Sequence, residues 1–162
     1  MLHNVLIAVD GSRNSLRAVE YAGRVFASNA EARLMLFHVL PAISRMSLNR
    51  EEIKAIDARK GERADLVDLY WQVEDEDKMG RFFGEATNLL VLVGVRPEQI
   101  KSKCGVKEGE IAPAILDEVE LGHYETLVVG RRGLSRMREF FLGSISTEVV
   151  REAQGCAVCV VE

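Results

Sequence analysis

Apolar residues follow two alternating rhythms along the chain. "NVLIAVD" (Asn4–Asp10), "RLMLFHV" (Arg33–Val39) and "TLVVG" (Thr126–Gly130) are short, nearly continuous apolar runs, the pattern of strands buried on both faces of a parallel sheet. After the first run, Leu16, Val19, Gly23 and Phe26 recur at helical spacing, and Ser12 or Asn14 is placed to cap that helix. "LLVLVG" in isolation resembles a strand. In its wider window Met79, Phe82, Phe83, Ala86, Leu89, Leu90 and Val93 form one helical stripe ahead of Gly94 and Pro97, so a helix is predicted over 75–93. "QIKSKCGV" (Gln99–Val106) alternates, which predicts a strand with one wetter face at a sheet edge. "GEIAPAILDEVEL" predicts a helix with Pro113 near its first turn, where a missing N–H is tolerated. "SISTEVVREAQ" predicts a helix and "CAVCVVE" a last strand. The charged segment at about 44–74 holds the single tryptophan and reads as a variable excursion of one or two helices joined near Gly61.

Strands alternating with helices predict one α/β domain over 1–162, with a mainly parallel sheet and right-handed crossovers. A chain of 162 residues, 48% hydrophobic, has enough apolar material for layers on both sides of that sheet. A net charge of −4 argues against broad nucleic-acid or membrane-surface binding. No apolar run approaches the ~20 residues of a membrane helix, and the first residues read as a core strand rather than a signal peptide. Three cysteines are odd and sparse, which suits a reducing cytoplasm. Cys156 and Cys159 are an odd offset apart, so a strand sends them to opposite faces; they read as packing residues rather than metal or redox ligands. His3, His38 and His123 share no metal-ligand spacing and read as structural. Tyr70 and Trp71 either anchor a partner or cover the core.

In open α/β sheets, ligands bind beyond the carboxyl ends of strands where the strand order reverses. Two strand ends carry unusual residues. The first ends in Asp10-Gly11-Ser12, where Asp10 either contacts a ligand or closes a turn. The fourth leads into "VVGRRGLSRMREFFLGSISTEVV" (Val128–Val150). Gly130 and Gly133 allow a tight turn and close approach to a ligand, and Gly143-Ser144 opens a helix whose N-terminal amides favour phosphate. The hydroxyls of Ser144 and Ser146 are candidate donors, and Ser144 is also a candidate N-cap. Arg131, Arg132, Arg136 and Arg138 add positive potential. The competing reading of this stretch is an exposed loop. G-x4-G-K-[ST], G-x-G-x-x-G after a strand, and G-x-S-x-G are all absent, which removes Walker-type, dinucleotide-fingerprint and nucleophile-elbow chemistry.

Gly130-x2-Gly133-x9-Gly143-Ser144 resembles the G-2x-G-9x-G-(S/T) signature of the nucleotide-binding branch of the universal stress protein family. "VLIAVDGS", "LFHVL", "VKEGEIAPAIL" and "GCAVCVV" resemble that family's opening strand and turn, second strand, glycine-then-helix segment and closing strand, in order. The resemblance implies a single-domain three-layer sandwich with a five-stranded parallel sheet of order 3-2-1-4-5, adenine-nucleotide-hydrolase-like. It implies that Asp10 contacts the adenosine end of a nucleotide and Val39 the adenine through its backbone. Val129 and Gly130 would line the ribose and phosphate region. The amides around Arg132 and Gly133, then Gly143, Ser144, Ile145 and Ser146, would hold the phosphates. The implied cofactor is ATP, or ADP or AMP, with Mg2+ or Mn2+. The implied assembly is a homodimer pairing the last strands, and the implied role is a stress-response sensor or regulator with an unknown protein partner. No side chain names itself as a base, so at most slow hydrolysis is expected. The rivals are a nucleotide-independent interaction module and a slow ATPase or nucleotidyl transferase. Two departures stand out: Arg131 where the family often has a small residue, and Ala157 where it usually has proline, which leaves an extra N–H to pair.

Overall fold

The computed structural model describes residues 3–132 and 142–162. Its strands are β1 (His3–Ala8), β2 (Ala32–Pro41), β3 (Ile100–Lys107), β4 (Thr126–Gly130) and β5 (Ala157–Val161). Its α-helices are α1 (Arg13–Phe26), α2 (Arg50–Lys60), α3 (Val73–Leu92), α4 (Ile111–Leu121) and α5 (Ser144–Glu152). All strand pairs are parallel and the order is β3-β2-β1-β4-β5. The chain therefore leaves β1 toward β2 and β3, then returns to the other side of β1 for β4 and β5. That reversal opens a crevice beyond the ends of β1 and β4.

Alternation along the central strands builds the two core layers. Val5, Ile7, Leu34, Leu36 and Val128 face α1 and α3, whereas Leu6, Phe37, Val39, Leu127 and Val129 face α4 and α5. Cys159 packs in the first layer and Cys156 in the second, on opposite faces.

Local chemistry sets the helix boundaries. Ser12 caps α1 by accepting the Ser15 N–H at 3.2 Å, and Asn14 lies inside the helix. Asn49 and Glu52 form a reciprocal capping box on α2, and Gly61 follows that helix with φ 54°. The helix predicted over 75–93 begins two residues earlier, at Val73. It closes with Gly94 at φ 105° and paired bonds from Gly94 N–H to Val91 O and Val95 N–H to Leu90 O, a Schellman closure. α5 stops at Glu152 because Ala153 turns extended, so Ala153 and Gln154 are not helical as the pattern suggests. The extra amide of Ala157 is used: it donates to Glu125 O at 2.9 Å.

The excursion has its own small core. Ile56, Leu66 and Trp71 pack on Leu40 and Val106, at the carboxyl ends of β2 and β3. Trp71 is 1% exposed, and its Nε1–H donates to Glu76 Oε2 at 2.6 Å. It covers the core and is closed to a partner. The buried Lys60 ammonium pairs with Asp57 at 3.1 Å, donates to Val67 O at 2.9 Å and sits 3.9 Å from the centre of the Tyr70 ring.

Candidate functional site

Beyond the ends of β1, β2 and β4 lies a cavity of about 370 Å³, within the ~300–1,000 Å³ range of small-molecule sites. Its floor is made by strand ends. Asp10, Val39, Val129 and Gly130 line it there. Its far wall is the start of α5, with Gly143, Ser144, Ile145 and Ser146, and Arg132 closes one side. Nine of the ten residues singled out in the sequence thus converge on one cavity. The tenth, Gly133, lies outside the described residues, as do Arg136 and Arg138.

Asp10 both closes a turn and lines the cavity. Its Oδ1 accepts the Ser12 N–H at 2.9 Å and the Ser15 hydroxyl at 2.5 Å, while its own N–H donates to Ser15 Oγ at 2.8 Å. The carboxylate is therefore held in one orientation by the first turn of α1.

The start of α5 is bare. Gly143, not Ser144, is the N-cap, so no side chain caps the helix, and its first turn carries no acidic residue. α4 starts in the same way, whereas α2 carries Glu51 and Glu52 in its first turn and α3 carries Glu74, Asp75 and Glu76. The first intrahelical bond runs from Thr147 N–H to Gly143 O. The amides of Ser144, Ile145 and Ser146 consequently have no helical partner, and they sit at the positive end of the helix dipole. The hydroxyl of Ser146 is not a spare donor: it is buried and donates to Gly130 O at 2.6 Å, which ties α5 to β4. Ser144 is exposed at the first helical position, so its hydroxyl stays available.

Gly130 serves the protein's own packing. A Cβ there would stand 3.0 Å from Asn14 O and 3.1 Å from Asn14 C. The missing side chain admits the start of α1 against β4, at a residue that also lines the cavity. Arg131 is held through its backbone, donating N–H to Val161 O and accepting from Gly143 N–H, and its guanidinium pairs with Glu162. The Nε of Arg132 is buried and has no hydrogen-bond partner among the described residues. A buried donor without an acceptor is costly, and an anion in the cavity would supply one.

Sequence reasoning missed much of the apolar wall. Phe37, Ile111 and Ile115 line the cavity, as do Ser15 and His38. Ile111 stands in the sequence as an apolar residue at the start of the predicted helix, and the structure leaves it 42% exposed at the first helical position. His38 places Nδ1 2.7 Å from Val9 O; a carbonyl only accepts, so Nδ1 carries the proton. Burial holds its pKa below the usual histidine value against the opposing pull of that bond and of Asp10 and Asp75. Among the described residues no group of three or more His, Cys, Asp or Glu is arranged to hold a metal ion. No helix of the described residues is long and apolar enough to cross a membrane.

A parallel 3-2-1-4-5 sheet with a crevice at the reversal, walled by a helix start that no side chain caps, defines a three-layer α/β domain. The family model described as "Universal stress protein family" matches residues 1–162, and the chain belongs to that family. It is 27% identical over 163 residues to the universal stress protein YxiE of Bacillus subtilis, covering 99% of both chains. Among solved structures it resembles a universal stress protein in complex with cAMP, at TM-score 0.68 and 24% identity, covering 99% of this chain and 97% of that one. It also resembles the Archaeoglobus fulgidus universal stress protein in complex with dAMP, at TM-score 0.65 and 16% identity, covering 100% and 98%.

Proposed function

We propose that the crevice binds an adenine nucleotide, ATP or its ADP and AMP relatives, and that the protein works as a nucleotide-dependent sensor or regulator in a stress response. The carrying observation is the convergence of Asp10, Val39 and the bare α5 start on one cavity, with the buried Arg132 Nε, unpartnered among the described residues, at its side. Structural relatives solved with cAMP and dAMP support an adenine nucleotide over other anions.

The base would lie against Val39, Phe37, Ile111 and Ile115, and Asp10 would meet the sugar. The amides of Ser144, Ile145 and Ser146, with the side chain of Arg132, would hold phosphate. Mg2+ or Mn2+ would travel with the phosphates, because the described residues offer no acidic cage and such ions commonly rest on substrate phosphates with few protein ligands. A binding role fits better than fast hydrolysis. The carboxylate in the crevice, Asp10, has one oxygen committed to Ser12 and Ser15, and phosphoryl transfer needs a positioned base or water-orienting group.

Denaturing the purified protein should release adenine nucleotide detectable by chromatography, and Mg-ATP should raise the melting midpoint of emptied protein. Protein that carries none and shows no shift overturns nucleotide binding in the crevice. A homodimer through β5 is part of the same proposal: β5 ends the sheet with one free edge and a 36%-exposed Val160, an arrangement that a second copy would cover. Light scattering should give twice the monomer mass, and a monomer at micromolar concentration would rule the dimer out.

A further inference from the structure

Beside the crevice lies a second, smaller cavity of about 170 Å³, lined by Asn14, Arg17, Arg131, Arg132 and Glu162. Among the described residues, three guanidinium groups and the Glu162 side-chain carboxylate line it. Among the described residues Glu162 pairs with Arg131, Arg17 makes no ion pair, and the buried Arg132 Nε has no acceptor. Uncompensated like charges around a concave surface raise the free energy of the empty site and favour an anion in it.

The two cavities share a wall. Arg132 lines both, so the two cavities adjoin at its side chain. The smaller cavity is also built on fixed parts. Asn14 and Arg17 are three apart on α1 and therefore share a face. The start of α1 is pressed against β4 at Gly130, where even a Cβ would meet Asn14 O at 3.0 Å. The backbone of Arg131 is fixed on both sides, to Val161 O at 2.7 Å and to Gly143 N–H at 2.8 Å.

We propose that this pocket is a terminal-phosphate subsite: Arg17, with Arg131 and Arg132, takes the outer phosphates of a nucleotide bearing more than one, and Glu162 competes with them for Arg131. The inference rests on nucleotide binding in the crevice and adds which residues separate a nucleoside triphosphate from a monophosphate. In this reading AMP is held by the crevice alone, and ATP reaches both cavities.

Titration calorimetry with AMP and with ATP, at fixed ionic strength and Mg2+, tests it on the parent protein and three variants. Arg17→Gln keeps helix propensity at an exposed position, so the fold should be unaffected. It should weaken ATP about tenfold, ~1.4 kcal/mol, and leave AMP within about twofold. Glu162→Gln should strengthen ATP several-fold and leave AMP unchanged. Arg24→Gln, at the far end of the same helix, removes the same charge and should change neither. Equal weakening of both nucleotides by Arg17→Gln, or no weakening of either, overturns the subsite while AMP binding keeps the crevice reading intact. A parent protein that binds neither nucleotide overturns the crevice reading and the subsite together.

Discussion

Gly143→Asp is expected to abolish nucleotide binding while the protein stays folded. Gly143 is the N-cap of α5, with φ −60° and ψ 159°, an extended conformation open to any residue. Aspartate is among the best N-cap residues and suits the positive end of the helix dipole, so the free protein should be as stable as the parent or slightly more so. That benefit is the reason binding fails. The new carboxylate would take the amides of the first turn and put negative charge where phosphate is to sit. Affinity for AMP and ATP should fall by about 100-fold or more, the equivalent of ~2.7 kcal/mol. Calorimetry and a thermal melt on the same sample separate the two effects. Binding at parental affinity would show that the ligand does not use the start of α5.

Trp71→Ala should produce the largest loss of stability. The indole is 1% exposed and centres the small core formed by Ile56, Leu66, Leu40 and Val106. Removing a buried tryptophan costs about 3–5 kcal/mol. In a domain of this size the melting midpoint should drop by roughly 6–20 °C. Glu76 loses the indole N–H at 2.6 Å but keeps Arg59 at 3.3 Å, so no isolated buried charge is left behind. Trp71 lies outside the layer that walls the crevice, and nucleotide affinity at low temperature should stay within about threefold of the parent. A midpoint change under about 2 °C would mean that the excursion unfolds separately from the sheet.

The chain spelled out most of its architecture because its local rules agree with one another. Continuous apolar runs located the buried strands, and alternation at Ile100, Ser102, Cys104 and Val106 placed β3 at the edge. The stripe from Met79 to Val93 overrode the strand-like look of "LLVLVG". The small discrepancies sit at helix ends. Val73 begins α3 although it belongs to no sequence stripe, and Ser144 looked like a cap where Gly143 is one. Such ends depend on which backbone amides find partners, and that depends on neighbouring elements.

The crevice was legible for a different reason. The resemblance to universal stress proteins supplied the sheet order and, with it, Val39, Val129 and Ile145; strand-end and helix-start chemistry alone pointed to Asp10, Gly130 and the Gly143-Ser144 start. What the sequence by itself determined was the element order, the two-sided core and the glycine spacing between a strand end and a helix start. Those features are set by local periodicity and turn chemistry. Tertiary structure alone decided how individual groups are used. It assigned Gly130 to the close packing of α1, the Ser146 hydroxyl to Gly130 O, and Trp71 to a buried core. It also set Arg17 beside Arg131 and Arg132, residues more than a hundred positions away in sequence. These assignments require a parallel sheet to bring distant strand ends within a few ångströms, and no local pattern encodes which side chain will meet which.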